Sequence, residues 1–482
     1  MKFIPRAAVI VAALLVAAAP SLAGAALNWP AARIVLLPPG AKGVPQGYLP
    51  ALSCASKGNC VAGGAYTDAK GDTQGLLSDE INGVWRGAVT ITPPSDAAAS
   101  AKVTVLSTAC GAPGTCSAVG SYEDKSGDTE GFVDSEVGNA WRGAVAVALP
   151  ADAIVAGQNA ELRSIACASA GNCSVVGTFS ARGTPLATTQ GLVLSEVRGV
   201  WQKALEVRLP GATNVNPFVV LNQVACASAG NCSAVGSYID DNGATHGLLV
   251  NETSSRWSSG QSLGLPASAS AYPDASLSSV TCVPTGACSA IGNYENAAGD
   301  GEGLVVSESA HVWKRATALV MPPGARANPH TFFYGFSAIS CASATNCSVG
   351  GQYTDSSGLY QGFFADEVNG VWQGAVELKL PSGATQTGKN GGVVALSCTS
   401  ASACSAGGAY LDSSGNYQAL VITRVNGAWQ GGTKVSLPAS AASVGVDGGV
   451  YGLICESPNA CTATGSYLRS STVYEGFTIS VN

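Results

Sequence analysis

A Cys-x5-Cys pair recurs eight times along this 482-residue chain, about every 57 residues, and each pair carries the same landmarks behind it. The pairs are Cys54/Cys60, Cys110/Cys116, Cys167/Cys173, Cys226/Cys232, Cys282/Cys288, Cys341/Cys347, Cys398/Cys404 and Cys455/Cys461. Six residues after each second Cys stands an aromatic: Tyr66, Tyr122, Phe179, Tyr238, Tyr294, Tyr353, Tyr410 or Tyr467. Gly always stands two before that aromatic, from Gly64 to Gly465. A Trp follows the first Cys by 31 residues in six repeats and by 34 in one. A long fixed period with one supersecondary unit per repeat means a propeller, a solenoid or an array.

The eighth repeat has no Trp, and the missing piece is at the other end of the chain. Trp29 stands 25 residues before Cys54, and the other Trp-to-Cys spacings run from 25 to 28. Residues 28–38 read as a last strand without its first three, and residues 451–482 as the first three without the last. A solenoid calls for polar caps instead of complementary half-repeats. A ring whose ends share one blade removes the exposed sheet edge. The expectation is an all-β, eight-bladed propeller with four antiparallel strands per blade, the last closed by the N-terminal strand. It would occupy residues 26–482 as one domain.

Residues 1–25 read as a secretory signal. Lys2 and Arg6 precede an apolar run over 7–19, and Ala23-Gly24-Ala25 supplies small residues for cleavage. That run is too short to span a membrane. The remainder is expected to be soluble, exported and monomeric. In an oxidising compartment the 16 Cys read as eight local disulfides. Zinc is the competing reading; a five-residue spacer is wide for a knuckle, and His246, His311 and His330 do not track the Cys. With charged residues at 11%, a net charge of −7 and no Lys/Arg run, nucleic acid and anionic membrane are disfavoured as partners.

Residues 103–150 illustrate one blade. The β-branched run 103–109 is the inner strand a, and the Cys110–Cys116 loop turns it into strand b, small-residued up to Tyr122. Such a disulfide closes a short loop, contributes ~2–3 kcal/mol and mainly pins the a–b register. Asp recurs two residues after the aromatic (Asp68, Asp124, Asp240, Asp355, Asp412), marking the b–c turn. Strand c ends in a two-residue turn reading Asn-Gly at Asn82, Asn369 and Asn426, the strongest short hairpin signal. Strand d runs over 141–149 to Pro150.

The blade resembles the kelch repeat in its di-glycine closing strand b (Gly63-Gly64, Gly350-Gly351, Gly407-Gly408), the aromatic after it, and the Trp opening strand d. The hairpin over 78–85 looks like a degenerate Asp-box without its Gly-x-Thr. The whole unit is most similar to Cys-x5-Cys repeats of secreted bacterial propellers. This resemblance implies the fold and no particular activity, because propellers host many functions.

Glu stands five before Trp in six repeats (Glu80, Glu136, Glu196, Glu252, Glu308, Glu367) and reads as a cross-strand partner, not a catalytic acid. The turn Asp residues lack the ligand density of a calcium loop. No catalytic motif, metal site or cofactor is expected. Departures from symmetry carry more information, and the sizeable length changes fall on the face of the b–c and d–a loops. Eight residues before the first Cys stand Gln46, Lys102, Asn159, Asp274, Asn390 and Asp447, with Phe218 and Phe333 as exceptions. The longest connection carries His330, Phe332, Phe333, Tyr334 and Phe336. Polar groups with a few aromatics at a propeller mouth suit a glycan, peptide or protein ligand. The competing reading is a plug of the funnel by these Phe residues. Asn159, Asp274, His330, Phe333, Tyr334, Asn390 and Asp447 are therefore the expected contact residues. Two other classes compete: a carbohydrate-active hydrolase or lyase using Asp274 and Asp447, and an inert envelope component.

Overall fold

The computed structural model describes residues 27–41, 47–183, 187–210, 217–326, 336–385, 391–442, 447–470 and 472–481. The expected secretory segment lies outside them. The described residues contain no helix and form eight antiparallel sheets. Blade 1 pairs strand a (Gly47–Ser56), b (Asn59–Thr67) and c (Thr73–Ile81) in sequence order. Blade 8 joins Gly449–Ser457, Ala460–Ser470 and Val473–Val481 to Arg33–Ile34, with Arg33 opposite Thr478 and Ile34 opposite Phe477. The a strands of successive blades pack side by side all the way round, blade 8 against blade 1 included. The ring closes with the N-terminal strand in the last blade, as the half-repeats require.

All eight disulfides form within repeats, with Cα–Cα separations of 3.9–4.1 Å. Each Cys pair is directly opposed across the a–b hairpin, as Cys110 and Cys116 are. The bridges do more than pin this register. The second Cys of each bridge is buried: Cys173, Cys232, Cys288 and Cys347 lie under the surface, as do Cys60, Cys116, Cys404 and Cys461. Cys173, Cys232 and Cys288 belong to the hydrophobic cores between blades. The Cys232 sulfur lies 3.2 Å from the Ser174 hydroxyl of the preceding blade, and Cys347 lies 3.8 Å from that of Ser289. A disulfide is apolar once oxidised, so its sulfur can fill the narrow space that the small residues of strand b leave between sheets. The spacing in sequence shows the pairing but not this inward aim.

The outer strand departs from the continuous strand expected over 141–149. In blade 1 it pairs in two short pieces, Val84–Trp85 and Val89–Thr90. Glu80 opposes Trp85 and Leu77 opposes Val89, so one extra residue is bulged out of the ladder. The bulge releases one amide per blade to its neighbour. The N–H three residues past each Trp donates to the carbonyl seven past the preceding blade's Trp. Ala32, Ala88, Ala144, Ala204, Gly260, Ala316, Ala375 and Gly432 make this bond in turn, at 2.7–3.2 Å. The donors are all Ala or Gly; a Cβ on Gly260 would lie 2.6 Å from the Leu248 side chain of its own blade and 3.4 Å from the Arg208 carbonyl it bonds.

A second bulge shapes the inner strand. Register skips one residue at Leu106, Arg163, Asn222, Ser278, Ser337, Val394 and Tyr451, four before the first Cys each time. The carbonyl two residues before the skipped one lies against strand b. A Cβ on the Gly two before the aromatic would lie 1.7–2.1 Å from that carbonyl at Gly64, Gly120, Gly177, Gly236, Gly292, Gly408 and Gly465. The recurring Gly is thus a steric requirement of the bulge.

Between blades the repeated Glu is buried, opposite Trp in the c–d hairpin as expected (Glu252 faces Trp257), and it also reaches the preceding blade. Glu252 accepts from Ser174 at 2.5 Å and Ser195 at 2.7 Å; Glu308 accepts from Ser233 at 2.8 Å and Asn251 at 3.0 Å. In blade 7 Arg424 takes the place of Glu and pairs with Asp366 of blade 6 at 3.2 Å. Trp indoles also donate backward: Trp257 to Ser195 at 2.9 Å, Trp313 to Asn251 at 2.9 Å, Trp141 to Asp79 at 3.2 Å. Trp29 breaks the pattern, its buried indole nitrogen lacking a partner.

Candidate functional site

Loop pairing separates the two faces of the ring. On one, the c–d turn donates to the a–b disulfide loop, Gly83 N to Gly58 O at 2.9 Å. On the other, the b–c turn donates to the d–a loop, as in Lys125 N to Asp96 O at 2.9 Å and Ser413 N to Gly383 O at 2.9 Å. The turn Asp residues are consumed by their own loops. Asp68 Oδ1 accepts from the amides of Lys70 at 2.9 Å and Asp72 at 3.0 Å, and those bonds hold its carboxyl below the usual range. This is the hydrogen-bond pattern of an Asx turn. The trio Cys54, Cys60 and Glu456 converges, but both sulfurs are locked in a disulfide. Cys173, Cys232, Cys288 and Cys347 are likewise disulfide-bonded and buried.

Exposed aromatics fall on the b–c/d–a face among the described residues. Tyr48, Phe218, Tyr272 and Tyr417 are 47%, 51%, 62% and 37% exposed. The disulfide face exposes single Val residues at its c–d turns, such as Val84 and Val371.

On that face, between blades 8 and 1, lies a cleft of about 380 Å³. Tyr48 leads into strand a of blade 1, and Tyr451 is the bulged residue of strand a in blade 8. Their rings meet at 5.4 Å and 58°. Gly449 makes room for this, since a Cβ there would lie 2.9 Å from the Tyr451 ring. The opposite wall is Asp447 and Tyr474, whose hydroxyl donates to Asp447 Oδ2 at 2.5 Å. That bond and partial burial push the Tyr474 phenol up to about 12. Burial raises Tyr48 and Tyr451 as well. All three phenols therefore stay neutral across the physiological range and offer apolar ring faces with hydroxyl rims. Among the described residues the cleft lining contains one acid, Asp447, and no Lys or Arg.

Of the seven expected contact residues, Asp447 lines this cleft. Asp274 is exposed at a positive φ of 39° where the chain enters blade 5, and Asn159 is exposed at the start of blade 3. Neither shares a cavity with Asp447, so Asp274 and Asp447 are not brought together as a pair of acids. His330, Phe333, Tyr334 and Asn390 lie outside the described residues, as does Phe332. Sequence reasoning missed Tyr48, Tyr451 and Tyr474. Their signal was there: Tyr48 stands where other repeats carry Thr104, Glu161, Val220, Ser276, Gly392 and Gly449, and Tyr451 where they carry small, aliphatic or polar residues.

No protein-family model matches the chain, and no curated protein matches it. Among solved structures it is similar to a polysaccharide lyase of a new family, an ulvan lyase bound to -[GlcA(1-4)Rha3S]-. The identity is 11% over 76% of this chain and 89% of that one, with a TM-score of 0.43. A fucose-specific lectin from Aleuria aurantia is 14% identical over 70% of this chain and 96% of its own, with a TM-score of 0.31. The Hadza microbial sialidase Hz136 is 8% identical over 64% of this chain, with a TM-score of 0.34; the chain spans 63% of that protein's length. The eight-bladed assignment rests on the strand pairing above.

Proposed function

We propose that this is a secreted, disulfide-stabilised, kelch-like propeller that binds a glycan without turning it over, through the b–c/d–a face. The observation that carries the reading is the cleft itself. Tyr48 and Tyr451 present ring faces for the C–H surface of a sugar, and Asp447 with the Tyr474 hydroxyl presents acceptor and donor atoms for its hydroxyls. About 380 Å³ fits a mono- or disaccharide. Asn159 and Asp274 would contact ligand only at the outskirts. Eight disulfides suit an oxidising compartment, as an exported chain cleaved after residue 25 would meet; among the described residues no helix is long and apolar enough to cross a membrane.

A glycan-array screen run beside a polysaccharide-turnover assay on residues 26–482 tests this. Saturable binding to an oligosaccharide with no products is the expected outcome. Products with multiple turnovers would favour the hydrolase or lyase class, and neither binding nor products would favour an inert envelope role.

A further inference from the structure

One strand-c position differs between two arcs of the ring. By register, it stands opposite the strand-b residue that follows the recurring aromatic. It is Thr73, Thr129, Thr189, Thr245 and Gly301 in blades 1 to 5, then Tyr360, Tyr417 and Tyr474 in blades 6, 7 and 8. A residue serving every blade alike would show no such division. Three consecutive tyrosines instead run along one rim toward the cleft, where Tyr474 is one wall. Asp447 ties two of them together. Its backbone bridges Tyr417, the next amide donates to the Tyr417 carbonyl at 3.0 Å, and its carboxylate holds the Tyr474 hydroxyl at 2.5 Å. Tyr417 is 37% exposed, so part of its ring surface faces solvent beside the cleft.

We infer that the cleft is the end subsite of a track for a linear, neutral polysaccharide, laid across blades 1, 8, 7 and 6. The inference rests on the glycan-binding reading above and names the kind of glycan. Aromatic rings repeated at the blade period offer stacking platforms to successive sugars, as aromatic rows do for other polymers with repeated flat faces. Charge selects against acidic polymers. A uronate, sialate or sulfate in the cleft would meet the Asp447 carboxylate with no Lys or Arg among the described lining residues to offset it. A neutral sugar hydroxyl instead donates to that carboxylate, the stronger type of hydrogen bond. Tyr48, Tyr451 and Tyr474 hold the terminal two residues within the cleft; Tyr417 and Tyr360 hold those that follow.

The test uses residues 26–482 on an array of linear neutral and acidic glycans, followed by calorimetric titration of the strongest neutral hit at one to six sugar units. Oligogalacturonates of the same lengths serve as the acidic comparator. Affinity is expected to rise at least tenfold from two units to four, and Tyr417→Ala to erase most of that gain while leaving two-unit affinity within twofold. Oligogalacturonate should bind at least tenfold more weakly at every length. Strongest binding to acidic glycans overturns the selection for neutral chains. Length-independent affinity in the wild type, or a Tyr417→Ala variant with unaltered length dependence, overturns the track and leaves the cleft intact. Failure of every glycan to bind overturns the track and the glycan reading together. A matching melting temperature for Tyr417→Ala confirms that the variant is folded.

Discussion

The amide of Ala32 donates to the carbonyl of Ser436 at 2.8 Å, joining residues 404 positions apart (436 − 32) across the seam of the ring. Leu36, four residues on, accepts from Ala88 of blade 1 at 2.8 Å. A single short segment thus carries two of the eight links of the circumferential belt. Ala32→Pro removes one donor, and should cost about 2 kcal/mol in chemical denaturation. Deleting residues 27–37 strips both links and bares strand Val473–Val481 as an edge. Several kcal/mol of lost stability and self-association on size-exclusion chromatography are expected; a deletion variant that stays monomeric and melts like the parent contradicts the closure.

The Gly two before the aromatic is predicted to be intolerant for a steric reason. Gly120→Ala would put a Cβ 1.9 Å from the Thr104 carbonyl, which belongs to backbone and cannot swing away. A loss of about 3 kcal/mol or more is expected in urea denaturation. Gly374→Ala is the control, with nothing within 4 Å of its Cβ position and no positive φ, and should fall within about 0.5 kcal/mol of wild type.

The architecture was legible in the sequence because the Cys, Gly, aromatic and Trp positions report directly on hairpins, and because Trp29 and the Trp-less eighth repeat complement each other. Both bulges were not. They are made by backbone amides and carbonyls, so they leave only small residues such as Ala88 and Gly120 as traces. The inward aim of Cys173, Cys232, Cys288 and Cys347 was hidden too, since a local spacing says nothing of the neighbouring blade. The cleft was half legible: Asp447 stood out at a position scanned across repeats, whereas Tyr48, Tyr451 and Tyr474 come from three different offsets that only folding brings together.

Stability should fall as pH rises through neutrality. Burial, and then the nearby Asp79 carboxylate, raise Glu136 to about 7, and burial raises Asp134 to about 6. A carboxyl with a raised folded value contributes fully below its unfolded value near ~4.3 and loses that contribution as pH climbs through the folded one. Between pH 5 and 8 the wild type should lose roughly 2–3 kcal/mol through Glu136. Glu136→Gln, which mimics the protonated form, should flatten that part of the profile; equal pH slopes in urea titrations of the two proteins would contradict it.

The orphaned Trp29 indole marks a correctable defect at the seam between blades 7 and 8. Asn251 accepts from Trp313 at 2.9 Å, and Thr423 occupies the corresponding place before Trp29. Thr423→Asn should supply the acceptor and raise stability by about 1 kcal/mol, read as a higher melting temperature. An unchanged or lower value would show that Asn at this seam does not reach the indole.

The central claim is that the Tyr48–Tyr451–Tyr474–Asp447 cleft takes the ligand, and the most direct measurement is calorimetric titration of one array-selected oligosaccharide into wild type and Tyr48→Ala. Tyr48 is 47% exposed, so its ring can be removed with little effect on the core. The predicted result is one-to-one binding that weakens at least tenfold in Tyr48→Ala, about 1.4 kcal/mol or more, at an unchanged melting temperature. Equal affinity in the two proteins would contradict the account.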